Sequence, residues 1–206
     1  DTWKSRGLGD VYKRQFLPIA SNDDSNKTKL FYKRFEDLDL NISHFNLISS
    51  VKGFENWLSN LDVVYVGGGN TKFMLKYWKE NNLIGLFKEV YNSGTILSGI
   101  SAGAACWFDC FLTDSDGPGF KSMNGIGLLT GSFTPHYSDS KRAEKYRENI
   151  KNKTLPDGIA VDDGVAVLFI DGKPTEVYSS RKGHNAYFVN QNKQFNLKEY
   201  IKMNNE

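Results

Sequence analysis

The feature that most constrains this chain is the run over residues 94–103, Gly-Thr-Ile-Leu-Ser-Gly-Ile-Ser-Ala-Gly. Residues 95–98 predict a short buried strand, and residues 102–108 predict the start of a helix rich in small and apolar side chains. The turn between them has the G-x-S-x-G pattern of a nucleophile elbow, in which a strained strand-to-helix turn presents a serine hydroxyl. Ser101 is therefore a candidate nucleophile. A glycine-rich connection with a capping serine is the alternative.

Strand and helix patterns alternate on both sides of this turn. Before it, strands are predicted over residues 16–20, 41–48 and 61–66, and helices over residues 27–38, 53–60, 71–80 and 83–92. After it, short strands are predicted over residues 125–133, 158–163, 165–170, 175–179 and 186–189, with a polar helix over residues 138–151. Apolar strands that alternate with helices predict an α/β fold with a mostly parallel sheet. The second half is expected to be rich in β-structure.

Composition excludes several classes of protein. The 206 residues suit one domain with a buried core, and 26 basic against 24 acidic residues give a net charge of only +2. This charge gives no electrostatic case for binding nucleic acid or a membrane surface. Cys106 and Cys110 are too few for a disulfide framework, and we expect both to be reduced. There is no H-E-x-x-H motif or other metal-ligand pattern, so no metal or other cofactor is predicted.

A serine hydroxyl is a poor nucleophile unless a base accepts its proton. His136 is the best candidate for that base, because it follows Pro135 at the end of an apolar strand, where a side chain can be held rigidly. His44 and His184 lie in segments more typical of the protein surface. A purely structural histidine is the alternative role for His136.

The histidine in such a site needs an acid that fixes its tautomer and offsets its charge. Asp163 lies between two predicted strands and is one candidate, and Asp114 is the rival. Asp162 and Asp116 are weaker candidates. Spacing along the chain does not choose among these aspartates, and each alone is also typical of a turn.

A second glycine motif, Gly-Gly-Gly-Asn over residues 67–70, follows a predicted buried strand. Bare backbone N–H groups at the end of a parallel strand can bind an anion. Gly68 and Gly69, with Asn70 beside them, could hold an oxyanion opposite the Ala102 N–H. One such donor is typically worth about 3 kcal/mol of transition-state stabilisation. The run fits neither a Walker loop nor a dinucleotide-binding G-x-G-x-x-G motif.

Together these motifs resemble the peptidase E family of serine peptidases (family S51), which is related to cyanophycinase. The resemblance rests on Val-Gly-Gly-Gly-Asn-Thr over residues 66–71, Gly-Ile-Ser-Ala-Gly-Ala over residues 99–104, Pro-His-Tyr over residues 135–137 and Val-Asp-Asp-Gly over residues 161–164. It covers residues 16–189. It implies a three-layer α/β/α sandwich like that of flavodoxin or the class I glutamine amidotransferases.

The resemblance also implies a site and a reaction. Ser101 would be the nucleophile, His136 the base, and Asp163 or Asp114 the acid; relatives often carry Glu at position 163. Backbone N–H groups of Gly68 or Gly69 and of Ala102 would hold the oxyanion. Family precedent implies dipeptides with an N-terminal aspartate as substrates. Arg181 is one candidate for binding that carboxylate, although a solvated arginine in a turn is the stronger interpretation of this residue. A binding module that kept the fold without catalysis and an esterase-type serine hydrolase are the alternatives.

The start of the chain differs from the rest. Residues 10–15 resemble the translation of a transposon end used in preparing sequencing libraries, so we expect residues 1–15 to be non-native. Residues 16–206 would then form a single peptidase domain that lacks its natural N-terminus. The absence of a signal peptide therefore favours a cytoplasmic location only weakly. A small peptide is the expected partner, and a homodimer remains open.

Overall fold

The computed structural model describes residues 13–38 and 40–205, and it divides into two compact units after Gly103. The first unit is built on a four-stranded parallel sheet with the strand order β2-β1-β3-β4. These strands are β1 (Lys13–Leu17), β2 (Asn41–His44), β3 (Val63–Val66) and β4 (Ile96–Gly99). In a parallel sheet the carboxyl ends of all strands meet at one edge, so the loops after β1, β3 and β4 share that edge.

Helices connect the strands of the first unit. They are α1 (Ser25–Phe35), α2 (Phe54–Leu58), α3 (Thr71–Glu80) and α4 (Ile84–Asn92), and the short α5 (Ala102–Ala105) begins after β4. Asp24 caps α1, because its carboxylate accepts a hydrogen bond from the Asn26 N–H. The side chains of Trp78 on α3 and Phe87 on α4 are fully buried and pack with their ring centroids 4.3 Å apart.

The second unit holds a six-stranded mixed sheet with the order β12-β11-β8-β7-β5-β6 and a separate antiparallel hairpin, β9-β10. The strands are β5 (Phe108–Thr113), β6 (Lys121–Asn124), β7 (Leu129–Thr134), β8 (Gly158–Val161), β9 (Val165–Ile170), β10 (Lys173–Ser179), β11 (Ala186–Val189) and β12 (Gln194–Asn196). Helices α6 (Ser140–Lys151) and α7 (Leu197–Asn205) complete the unit. Strands β5, β7 and β8 are parallel neighbours. The predicted α/β class, the mostly parallel sheet and the β-rich C-terminal part are confirmed.

The predicted helix over residues 102–108 is wrong in its length. Helix α5 ends at Ala105, and the chain enters β5 at Phe108. The segment is a strand because it pairs in parallel with β7 and antiparallel with β6, and its Phe111 side chain is fully buried. Consequently Cys106 and Cys110 do not share a helix.

Other boundaries also differ from the prediction. Strand β1 begins at Lys13 and ends at Leu17, and a 3-10 turn over Ile19–Ser21 occupies the rest of the predicted strand. The sequence patterns missed β6, β12 and α7. Most of the proposed non-native segment, residues 1–12, lies outside the described residues, so its origin stays a prediction. Within the described ranges, no helix has the length and hydropathy that a membrane span requires.

Candidate active site

The elbow forms where β4 ends and α5 begins. Gly99, the last residue of β4, pairs with Val66 of β3, and the Ile100 N–H donates to the Val66 carbonyl oxygen at 3.1 Å. A Cβ atom at Gly103 would lie 2.1 Å from that same oxygen, so only glycine lets α5 pack this closely on β3. This packing leaves Ser101 in the turn between them, half-buried, with a φ of +54°.

The backbone at Ser101 and His136 is strained in a way that local structure does not explain. Seven non-glycine residues in the described part of the chain have positive φ. Five of them, Asn22, Asp23, Asn82, Lys153 and Asp171, follow the ends of helices or occupy the β9-β10 turn, where this conformation is common. Ser101 and His136, at +54° and +56°, do not. Residues held in this region by their surroundings cluster at functional sites.

The glycine loop after β3 lies against the elbow. A Cβ at Gly68 would be 3.2 Å from both the Ser101 Cβ and the Ile100 carbonyl oxygen, so the two turns are in contact at this point. Gly69 has a φ of +153°, and a Cβ there would lie 2.0 Å from the Ala20 carbonyl oxygen. Gly68 therefore lies against the turn that carries Ser101, and neither glycine N–H is used in a backbone hydrogen bond within the described residues.

The other two predicted binding residues occupy helix starts. The Asn70 side-chain oxygen accepts a hydrogen bond from the Phe73 N–H at 2.8 Å, which caps α3. Its backbone N–H donates to Ala20 at 2.6 Å and so fixes the end of the glycine loop. Ala102 is buried and is the first residue of α5. Asn70 thus supports the loop, and Ala102 follows the candidate nucleophile directly.

Sequence reasoning missed one contact of this loop. The Lys27 ammonium, on the first turn of α1, donates a hydrogen bond to the Gly68 carbonyl oxygen at 2.9 Å. The two residues are 41 positions apart in sequence. No local motif marks Lys27, because the contact depends on how α1 packs beside the loop after β3.

His136 and Asp163 form a pair in the second unit. They follow β7 and β8, which are parallel neighbours, and the Tyr137 N–H donates to the Val161 carbonyl oxygen at 3.1 Å. The two strand ends are therefore held together, and the His136 Nδ1 lies 2.5 Å from the Asp163 Oδ1. Because an ionised carboxylate can only accept, Nδ1 carries the hydrogen, and Nε2 is the basic nitrogen of a neutral ring. Both side chains are about two-fifths exposed, at 41% and 43%.

The rival acids have other partners. The Asp114 carboxylate forms an ion pair with the buried Arg142 guanidinium at 2.9 Å, and Asp116 lies in the same loop. The Asp162 carboxylate accepts a hydrogen bond from the Asn185 N–H at 2.9 Å, which ties the turn after β8 to the start of β11. Among the four candidate aspartates, the structure brings the Asp163 carboxylate into hydrogen-bond distance of His136.

Arg181 lies beside the turn that carries Asp163. A Cβ at Gly164 would be 3.0 Å from both the Cγ and the Cδ of Arg181, and the Ser180 N–H donates to the Gly164 carbonyl oxygen at 2.9 Å. The arginine stem is thus held against this turn while the residue as a whole is exposed. In the described ranges, no group of three or more His, Cys, Asp or Glu side chains is arranged to hold a metal ion.

Comparison with known proteins gives consistent results. The model of peptidase family S51 matches residues 7–177. The uncharacterised peptidase YgaJ of Bacillus subtilis is 43% identical over 176 residues, which are 84% of this chain and 76% of that protein. Peptidase E of Haemophilus influenzae is 28% identical over 197 residues, covering 91% of this chain and 88% of its own length.

Two solved structures share the fold at low sequence identity. A peptidase from an acI-B1 actinobacterium has a TM-score of 0.67 at 14% identity, covering 89% of this chain and 80% of its own. A putative peptidase E from Listeria monocytogenes has a TM-score of 0.55 at 19% identity, covering 94% and 88%. The family model covers most of the chain, and the YgaJ relative is similar over three quarters of its length. The chain therefore belongs to peptidase family S51, the serine-type peptidases that its motifs resemble.

Proposed function

We propose that this peptidase hydrolyses short peptides, with dipeptides that begin with aspartate as its substrates, through a Ser101-His136-Asp163 triad and an acyl-enzyme. The observation that carries the proposal is the strained elbow, where Ser101 has a φ of +54° beside a loop whose Gly68 and Gly69 N–H groups donate no backbone hydrogen bond in the described chain. A strained serine next to unused donors is the arrangement that acyl transfer needs.

In the proposed reaction the Ser101 Oγ attacks the scissile carbonyl carbon while the His136 Nε2 takes its proton. The carbon–nitrogen bond then breaks, and the imidazolium gives the proton to the departing amine. Water attacks the resulting ester, His136 again accepts a proton, and the acid product leaves with Ser101 restored. Throughout, Asp163 holds the Nδ1 hydrogen and offsets the positive charge of the ring, a role supported by the 2.5 Å contact.

The developing oxyanion would be bound by backbone N–H groups. Gly68 or Gly69 supplies one donor, and Ala102, directly after the nucleophile, supplies the other. The steric fit of glycine at these positions supports this role, because a Cβ at Gly69 would collide with Ala20 and the chain can therefore present only bare backbone there.

Preference for an N-terminal aspartate requires a cation near the scissile bond. We assign this role to Arg181, whose stem packs on the Asp163-Gly164 turn. An arginine fork can bind a carboxylate through two parallel hydrogen bonds, which an uncharged amide side chain cannot match.

The test compares Asp-Leu with Asn-Leu, dipeptides that differ in the charge of one side chain. The native enzyme is expected to prefer Asp-Leu, and Ser101→Ala is expected to hydrolyse neither. Arg181→Gln should raise KM for Asp-Leu by about tenfold, since a charge-assisted hydrogen bond is lost, and leave Asn-Leu unchanged. Lys182→Gln, at the neighbouring exposed position, is the matched control. Equal turnover of both dipeptides by the native enzyme would refute the aspartate specificity, and turnover by Ser101→Ala would refute the mechanism.

A further inference from the structure

The Lys27 contact lies next to the proposed oxyanion donors. Lys27 is an exposed residue of α1, yet its ammonium donates to a backbone carbonyl inside the glycine loop, Gly68, at 2.9 Å. Gly68 in turn is the loop residue that touches the elbow, because a Cβ there would lie 3.2 Å from the Ser101 Cβ. Gly68 therefore contacts Lys27 on one side and the turn that carries Ser101 on the other.

The peptide unit that Lys27 holds is the one joining Gly68 to Gly69. In a trans peptide the carbonyl and the following N–H point in opposite directions, so fixing the Gly68 oxygen also fixes the direction of the Gly69 N–H. Glycine on both sides removes the steric barriers that would otherwise define this plane. Within the described residues the Gly69 N–H donates no backbone hydrogen bond, so the hydrogen bond that holds this peptide plane is the one its carbonyl accepts from Lys27.

We propose that Lys27 is a positioning residue that orients and polarises the Gly68–Gly69 peptide for binding of the oxyanion. The ammonium selects one of the two orientations of the peptide plane. It also withdraws electron density through the carbonyl, which makes the Gly69 N–H a stronger donor, since hydrogen bonds linked through one peptide group polarise one another. This inference rests on the proposed function, in which a carbonyl oxygen becomes negatively charged beside this loop.

The role predicts an effect on the rate of the chemical step with little effect on substrate binding. Lys27→Met keeps most of the length of the side chain and removes the donor, whereas Lys27→Arg keeps a donor. Lys29→Met removes an exposed lysine from the same helix, two positions away, and is the matched control. We expect Lys27→Met to lower kcat about tenfold with KM for Asp-Leu and Asn-Leu almost unchanged, because an oxyanion donor is misdirected but not deleted. Lys27→Arg should recover most of the loss, and Lys29→Met should show none.

The second readout is the rate at which a fluorophosphonate labels Ser101, with the thermal unfolding midpoint as a check on folding. Lys27→Met should be labelled more slowly by a factor similar to its loss of kcat, with an unchanged midpoint. Equal labelling rates in Lys27→Met and the native enzyme would overturn this inference alone. A rise in KM confined to Asp-Leu would also overturn it, because Lys27 would then bind the substrate carboxylate. Absence of labelling in the native enzyme would overturn the proposed function and this inference together.

Discussion

Ser101 and His136 have φ values of +54° and +56°, a backbone conformation that residues with a Cβ atom rarely adopt. The surrounding structure stabilises the Ser101 conformation, since Ile100 bonds to Val66 and Gly103 packs on the same carbonyl. A non-glycine residue in this region carries a cost of about 1 to 3 kcal/mol. The folded protein therefore stores strain at the residue proposed to perform the reaction.

This strain gives a prediction about two substitutions that both remove the hydroxyl. Ser101→Gly and Ser101→Ala should be equally inactive, but only the glycine relieves the positive φ. We expect Ser101→Gly to unfold at higher denaturant concentration than Ser101→Ala, with a difference of about 1 kcal/mol in the free energy of unfolding. Urea unfolding of the two variants measures this difference. Equal midpoints would mean that the turn at residue 101 is not strained.

The two strongest candidate acids should respond differently to loss of charge. Asp163→Asn leaves an amide beside His136 that can favour the wrong tautomer, so kcat should fall by about 10³- to 10⁴-fold. Asp114→Asn keeps an oxygen that can accept from Arg142 but removes the negative charge opposite a buried guanidinium, which should cost about 1 to 3 kcal/mol of stability and little activity. Steady-state kinetics and urea unfolding of both variants separate the effects. A greater loss of kcat in Asp114→Asn would reverse the assignment of the acid.

The residues of the candidate site differ in how well the sequence predicts them. Ser101 and the glycine loop lie in short motifs whose geometry is local, so a pattern of neighbouring residues is sufficient to find them. The contact of Asp163 with His136 depends on the parallel pairing of β7 with β8, which no local pattern encodes. Lys27 was missed for the same reason, since its contact crosses 41 positions.

Helices and strands are predicted correctly where the sequence carries a strong local signal, such as a capping residue or a regular spacing of apolar side chains. Helix α3 has the predicted bounds, Thr71–Glu80, because Asn70 caps its start and its apolar residues recur at helical spacing. The segment after the elbow was misjudged, because small and apolar residues suit a helix as well as a buried strand. Pairing with β7 makes residues 108–113 a strand, so α5 ends after four residues.

The close packing of α5 on β3 gives a prediction for glycine substitutions. Gly103→Ala would place a Cβ 2.1 Å from the Val66 carbonyl oxygen, and backbone must move to accommodate it. We expect a loss of about 2 to 3 kcal/mol in the free energy of unfolding together with loss of activity. Gly85→Ala, within α4 where a Cβ meets nothing within 4 Å, is the control.

That control should be neutral or stabilising by up to about 1 kcal/mol, because alanine favours a helix over glycine. Chemical denaturation and turnover of Asp-Leu measure both variants. Normal stability and activity in Gly103→Ala would show that α5 does not require this close approach.

For the molecule as a whole, buried groups that stay protonated make the free energy of unfolding decrease at alkaline pH. Burial raises the pKa of the Cys106 thiol well above its ordinary value of 9.0, and burial raises the pKa of the Tyr146 hydroxyl above 10.0. The folded state thus keeps protons that the unfolded chain releases. Their contribution is present in full below about pH 9 and declines as the pH rises beyond it, by up to about 1.4 kcal/mol per pH unit for each group.

Urea unfolding at pH 8 and pH 10.5 tests this expectation. The midpoint should fall at the higher pH, and Cys106→Ala should show a smaller fall than the native protein, since one of the buried groups has been removed. A midpoint that stays constant to pH 10.5, or a fall that is identical in both proteins, would contradict the assigned cause.

Covalent labelling tests whether Ser101 is a nucleophile activated by His136. The native protein, Ser101→Ala and His136→Ala are treated with a fluorophosphonate, and the modified peptide is identified by mass spectrometry. We expect one phosphonyl group on Ser101 of the native protein, none on Ser101→Ala, and labelling of His136→Ala that is slower by about 10³-fold or more. A folded native protein that takes no label at Ser101 would show that Ser101 is not the nucleophile, and an equal rate in His136→Ala would show that His136 does not activate it.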